Sequence, residues 1–223
     1  MGAMDKKITI VGQGNSLFNQ YLSELRSVEV QNDRMRFRKN LLRCSQIMAY
    51  ELSKHLNYQE KEVETPLGSL EMSLPTESPV LVSILRAGLP MHNGFLDFFD
   101  NSDNGFISAF RQHTRGDDFV VKVEYLALPN LADRSLVIID PMLASGRSMV
   151  VAYQAMIPAH GEPSKVFIAS LIASEEGVQY VRRTLPNAHL FVGAVDFELT
   201  AKAYIVPGLG DAGDLAFGDK TSG

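Results

Sequence analysis

Of the 223 residues one is a cysteine and none is a tryptophan. The single thiol, Cys44, excludes an internal disulfide and any metal centre built from several cysteines. No apolar run is long enough to span a bilayer, and no early apolar core with a basic flank resembles a signal peptide. A surplus of positive charge is also missing: 21 Lys and Arg stand against 26 Asp and Glu, a formal net charge of −5. A nucleic-acid partner calls for a basic footprint, so this balance speaks against one. The simplest expectation is a cytoplasmic protein with no membrane partner. Internal repeats, low-complexity tracts and linkers of domain-dividing length are lacking too.

What is present is ordinary for a soluble globular chain, with 45% hydrophobic and 21% charged residues. The length suits one large domain over residues 1–223. The most informative stretch is Leu136-Val137-Ile138-Ile139 followed by Asp140 and a loop of small and hydroxyl residues. An apolar run without alternation reads as a strand buried on both faces of a parallel sheet. Ligands of such sheets sit beyond the carboxyl ends of the strands. Gly146 would let a ligand approach the backbone, Ser145 and Ser148 offer hydroxyls, and a helix opening near Ser148 offers free N–H groups. From spacing alone two readings stand: a phosphate cradle beside a sugar-binding carboxylate, or a turn whose Gly and Ser only cap the helix. A Walker A loop is excluded, because the Gly-Lys-Ser/Thr ending is absent.

The rest of the chain frames this stretch. Ile8 to Val11 is a short strand, and Gly12-Gln13-Gly14 is a turn rather than a dinucleotide fingerprint, whose third glycine would fall on Leu17. Asp33 to Leu56 reads as an amphipathic helix with Asp33 as N-cap and a stripe of Phe37, Leu41, Cys44, Met48 and Leu52. Arg34, Arg36, Arg38, Lys39 and Arg43 are expected on its solvated face. Pro66 to Pro79 is a turn-rich connection with a short hairpin around Gly68. Val80 to Leu85 is a second buried strand; Arg86 ends it, and Gly88 to Phe99 is helical. Arg86 reads either as a surface salt bridge or, since it is flanked by apolar residues and glycine where an unpaired charge is costly to bury, as a residue held for a role in a site. Asp100 to Gly105 is a polar loop. Phe106 to Phe110 and Phe119 to Leu126 form an arm whose turn lies at Arg115-Gly116-Asp117-Asp118. A helix from Ser148 to about Ala159, a strand Val166 to Ala173, a helix Glu175 to Leu185 and a strand Leu190 to Val195 follow. The glycine-rich stretch Tyr204 to Gly218 is expected to be neither regular strand nor helix. Its apolar anchors make it a hood over the sheet's carboxyl edge. The expected architecture is therefore α/β: a central, mainly parallel sheet flanked by helices. About residues 1–60 form an N-terminal helical region, 106–127 an arm and 196–218 the hood.

Three blocks, in order, resemble the uracil phosphoribosyltransferase family: Ile84-Leu85-Arg86-Ala87-Gly88-Leu89, Asp140 to Ser148, and Tyr204-Ile205-Val206-Pro207-Gly208-Leu209-Gly210-Asp211-Ala212-Gly213-Asp214. Weaker similarity runs from about Leu22 to Gly218. The resemblance implies transfer of a phosphoribosyl group from phosphoribosyl diphosphate (PRPP) to uracil, giving UMP in pyrimidine salvage. It implies that Arg86, Arg111, Asp140, Pro141, Met142, Leu143, Ala144, Ser145, Gly146, Arg147, Ser148 and Asp211 contact PRPP. In this reading Asp140 takes the ribose hydroxyls and Ala144 to Ser148 the 5-phosphate. Ile205, Gly210, Asp211 and Ala212 are implied for uracil, largely through backbone groups. The implied cofactor is Mg²⁺ carried on PRPP, with Asp211 as a protein contact. No side chain stands out as a general base; Arg86, Arg111 and Asp211 would stabilise the transition state. The resemblance also implies a homodimer or higher homo-oligomer. A single acid ahead of the loop, with Ile139 before Asp140, matches this family rather than the purine enzymes. Three departures stand out. Ser145 replaces the usual Thr, Arg147 replaces the usual Gly, and Gln112-His113-Thr114-Arg115 replaces an acidic run. Arg147 is expected to keep a regular backbone and point to solvent or a neighbour. A regulatory, non-catalytic member of the same fold is the alternative.

Overall fold

A computed structural model describes residues 7–113 and 119–219. The chain begins with β1 (Ile8–Ile10), a 3-10 turn (Val11–Gln13), α1 (Leu17–Arg26) and α2 (Arg34–Ser53). An antiparallel pair, β2 (Tyr58–Thr65) and β3 (Gly68–Pro75), comes next. Then follow β4 (Val80–Leu85), α3 (Leu89–Leu96), β5 (Asn104–His113), β6 (Phe119–Ala127), β7 (Ser135–Ile139), β8 (Met142–Leu143) and α4 (Arg147–His160). β9 (Lys165–Ser174), α5 (Glu175–Thr184) and β10 (His189–Asp196) complete the scaffold. The last segment holds β11 (Glu198–Leu199), β12 (Ile205–Val206) and α6 (Ala212–Phe217).

The main sheet runs in the order β1-β10-β9-β7-β4-β5-β6, with β8 added beside β9. Every pairing in it is parallel except β5 with β6. β7 is buried at all of its positions, as its unbroken apolar run requires. Alternate residues of each central strand enter different cores. Leu81, Val137, Ile139, Ala169 and Phe191 pack with α1, α2 and α3 on one face. Val80, Val82, Leu136, Ile138, Ile168 and Val192 pack with α4 and α5 on the other. This period-two division is what a sheet covered on both faces produces.

The expected α2 is observed. Asp33 caps it by accepting from the Arg36 amide at 3.0 Å. All five stripe residues are buried, and burial pushes the Cys44 thiol well above its ordinary pKa, so Cys44 is a core residue. Of the basic residues of α2, Arg34, Arg36 and Lys39 are exposed, as expected of a solvated face, while Arg38 and Arg43 are half-buried. Arg36 donates to Glu24 on α1 at 2.7 and 2.8 Å, and Arg38 donates to the Ala216 carbonyl at 2.7 Å. The Arg43 guanidinium lies 5.2 Å from the centre of the Tyr21 ring.

Four further boundaries differ from the sequence reading. α1 was not anticipated; Phe18, Leu22 and Leu25 give it a short buried stripe, and Ser16 caps it. The hairpin around Gly68 is far longer than a turn-rich connection suggests, and most of β2 and β3 is exposed. β5 begins at Asn104, inside the expected polar loop. The hood contains regular structure after all, in β12 and α6. The expected arm is present as β5 and β6, but its turn at Arg115-Gly116-Asp117-Asp118, with Thr114, lies outside the described residues.

Candidate functional site

The central loop is held by the neighbouring strand. Asp140 donates its amide to the Ala169 carbonyl at 3.1 Å, and the Pro141 carbonyl accepts from Leu171 and Ile172 at 3.0 Å. Met142 and Leu143, expected as loop, continue the sheet as β8 beside Ile172 and Ala173. The Asp140 carboxylate, half-buried, accepts from the Met142 amide at 3.3 Å. The hydroxyl of Ser174, the N-cap of α5, donates to the Ala144 carbonyl at 2.6 Å. Gly177 brings α5 against the same loop: a Cβ there would stand 2.7 Å from the Leu143 carbonyl oxygen.

Gly146 carries the loop's left-handed step, with φ of 74°. Glycine accepts that conformation without the Cβ clash. Arg147 is thus free to take helical backbone as the first residue of α4, and it is exposed, in line with the sequence reading. Gly146 brings no side-chain cap to α4. The first-turn amides of a helix point outward and favour an anion unless a side chain caps them. Ser145 is buried and Ser148 half-buried beside them.

A second loop approaches from β4. The Leu85–Arg86 peptide is cis. Arg86 donates through Nη2 to the Asp214 carboxylate at 3.2 Å and to the Gly218 carbonyl at 3.1 Å. Its Nε is buried and meets no acceptor among the described residues. A buried, unspent N–H of a guanidinium is costly to leave unmatched, and a phosphate oxygen would match it. Gly88 packs this loop against the next strand: a Cβ would lie 2.7 Å from the Ile139 carbonyl oxygen, one residue before Asp140.

The hood closes the arrangement. Val206–Pro207 is cis, and Gly208 and Gly210 take φ of 56° and 95°. Asp211 caps α6, its Oδ1 accepting from the Gly213 and Asp214 amides at 2.8 and 3.0 Å. Ile205, Leu209, Ala212 and Ala216 are buried in one cluster with Ile139, and Met142 and Ala144 pack against that cluster. Hood and central loop therefore share a core, with the Arg86 loop between them. A cavity of about 610 Å³ lies between the 26–34 segment and the hood. It touches Gly210 and Asp211 of the sequence-predicted residues, and none of Asp140 to Ser148 lines it. The backbone of Arg111 pairs with Val121 in the arm; its side chain lies outside the described part.

Sequence reasoning missed the anchors of the hood. Arg26, at the end of α1, and Asp196, at the end of β10, grip Gly208 together. The available signal was an acid closing a buried strand, the same signal that singled out Asp140.

The family model described as uracil phosphoribosyltransferase matches residues 13–219. The chain belongs to that family. A uracil phosphoribosyltransferase from Porphyromonas gingivalis is 47% identical over 211 residues, 94% of this chain and 97% of that protein. Another, from Thermococcus gammatolerans, is 35% identical over 202 residues, covering 89% of this chain and 88% of its own length. A solved structure of an Aquifex aeolicus protein superimposes with a TM-score of 0.83 at 33% identity, covering 95% of this chain and 98% of the other. Family membership makes the chain a pentosyl-transferring glycosyltransferase and bears out the α/β expectation.

Proposed function

We propose that this chain transfers the 5-phosphoribosyl group of PRPP to N1 of uracil, releasing diphosphate and forming UMP. The observation that carries the reading is the meeting of three separated blocks at one sheet edge. Arg86 bonds the hood at Asp214 and Gly218, while Gly88 abuts Ile139 beside Asp140. In the reading Asp140 accepts the ribose hydroxyls, and the loop Ala144 to Ser148 with the first turn of α4 takes the 5-phosphate.

The bond from ribose C1 to the diphosphate oxygen breaks, and C1 becomes oxocarbenium-like. The electron pair leaves with diphosphate. Arg86, through its unspent Nε, stabilises that developing charge, with Arg111 assisting. The new bond forms from N1 of uracil, whose proton is lost to solvent as bonding proceeds. The hood's backbone presents Ile205, Gly210 and Ala212 to the O4, N3 and O2 edge. Cytosine would leave buried groups unmatched at about 1–3 kcal/mol each.

The reading includes Mg²⁺ carried on PRPP. Among the described residues no cluster of three or more His, Cys, Asp or Glu is placed to hold a metal. That fits Mg²⁺, which keeps several waters and leans on substrate phosphates. Asp211, whose two capping bonds both fall on Oδ1, is the protein residue that would contact the ion. When bound, Mg²⁺ supplies charge neutralisation on the diphosphate. A homodimer or larger assembly also belongs to the reading. The β2–β3 hairpin supports it, because an isolated two-stranded hairpin is marginal in water and this one exposes Leu67, Leu70 and Met72. No helix among the described residues is long and apolar enough to cross a membrane, and a cytoplasmic setting is part of the proposal.

A coupled assay of UMP formation from uracil, PRPP and Mg²⁺ tests the function. UMP is expected in a uracil-dependent, PRPP-dependent reaction, and absence of turnover would overturn it.

A further inference from the structure

We infer that Arg26 and Asp196 act as a positioning pair that sets the backbone of the uracil-binding turn. The inference rests on the uracil reading above and extends it to residues outside the three family blocks. Asp196 stands at the last position of β10, a strand paired on both sides by β1 and β9, and is 6% exposed. Arg26 closes α1. The two meet fork to fork: Nη1 donates to Oδ2 at 2.7 Å and Nη2 to Oδ1 at 2.8 Å. Such a bidentate pair fixes direction as well as distance.

What distinguishes the pair from a structural salt bridge is its third partner. Asp196 Oδ2 also accepts from the Gly208 amide at 2.9 Å, and Arg26 Nη1 also donates to the Gly208 carbonyl at 2.9 Å. Both polar groups of one glycine are thereby held by one ion pair. Gly208 has a left-handed φ of 56° and stands two residues before Gly210, whose φ is 95°. The antiparallel ladder of β12 with β11 ends at Val206, short of Gly208. Ile205 and Leu209 bury the turn's apolar side, and among the described residues it is the pair that joins the Gly208 amide and carbonyl to the end of β10. Recognition by backbone N–H and C=O works only if the backbone stays within about 0.5 Å of its productive place. The pair transmits the rigidity of β10 to that backbone without itself needing to touch the base.

The test uses the full chain in three variants: Arg26→Met, Arg26→Lys and the double variant Arg26→Met with Asp196→Asn. KM for uracil, KM for PRPP and melting temperature are measured for each beside the unaltered chain. Arg26→Met is expected to raise the uracil KM about tenfold or more while the PRPP KM stays within about twofold. Arg26→Lys, which keeps one charged donor, is expected to recover part of the uracil KM. The double variant leaves no unpaired charge, so it should regain melting temperature yet keep the raised uracil KM. It also carries the test should Arg26→Met fail to fold. A uracil KM in the double variant equal to that of the unaltered chain would overturn the pair's role. So would a rise shared equally by uracil and PRPP. If the unaltered chain forms no UMP, the function and the pair fall together; if it turns over normally and only the variants disagree, the pair alone falls.

Discussion

Asp214 and Arg86 join the hood to the end of β4, with Oδ1 and Nη2 3.2 Å apart. The side chains are 34% and 40% exposed, so the contact itself adds little to stability. Its importance is in orientation: Nη2 is taken by Asp214 and Gly218, which fixes the guanidinium beside the hood, and Nε is left without an acceptor among the described residues.

Replacing Arg86 by Met should therefore separate activity from folding. kcat/KM for PRPP is expected to fall by about 10²–10³-fold, the usual loss for one donor aimed at developing charge. Melting temperature should move little. Steady-state kinetics with varied PRPP, beside a thermal melt, checks both.

Gly177 offers a test of the phosphate loop from behind. A Cβ at Gly177 would point at the Ala144 carbonyl and stand 2.7 Å from the Leu143 oxygen, both backbone atoms of the loop. Gly177→Ala should cost about 1–3 kcal/mol in stability, as overpacking does. It should also weaken PRPP binding. Gly14→Ala is the control, since a Cβ there meets nothing within 4 Å. Calorimetric titration with PRPP distinguishes the two.

At Gly210 the obstacle is conformation rather than space. The nearest atom to an added Cβ is Leu215 Cδ1 at 3.8 Å, but φ is 95°. A β-branched residue is strongly disfavoured at positive φ. Gly210→Val should abolish uracil turnover while PRPP still binds. Retained turnover would misplace the hood as the base site.

His189 makes stability pH-dependent at the opposite side of the molecule from the chemistry. Burial, His55 and Lys7 lower its pKa from 6.5 to about 4. Its ring lies 4.5 Å from that of Phe191, and Thr9 meets its Nε2 at 3.0 Å. Between these two pKa values the unfolded chain holds the extra proton and the folded chain does not. The stabilisation is full above pH 6.5 and is lost as pH falls through the window towards 4. Melting temperature should decline with acid over that range, and His189→Gln should flatten the decline.

Much of the scaffold was legible because its strands are unbroken apolar runs. Val80 to Leu85 and Leu136 to Ile139 admit hardly any other reading, and each ends on its polar residue as the sheet rule requires. Residues whose structure depends on distant partners were not legible. β3 does alternate, with Leu70, Met72 and Leu74 against Ser69, Glu71 and Ser73, but β2 offers only Val63 opposite them and the hairpin buries almost nothing within the chain, so the flanking turn residues dominated the reading. α6 is six residues long and glycine-containing; Asp211 at its cap and the contact with α2 through Ala216 make it a helix. Arg34, Arg36 and Lys39 do face solvent as their pattern implied; that Glu24 meets Arg36 and the hood meets Arg38 are contacts the sequence cannot show. In the site, Arg86, Asp140 and the Gly146 turn stood out by type and spacing. Arg26 and Asp196 did not, because their meaning lies in a contact spanning 170 positions.

The measurement that tests the central claim most directly is turnover with uracil, cytosine, orotate and hypoxanthine side by side, each with PRPP and Mg²⁺. Uracil alone is expected to be converted rapidly, with cytosine slower by a factor of about 10² or more, as a buried polar mismatch dictates. Equal rates with cytosine, or a preference for orotate or hypoxanthine, would contradict the account.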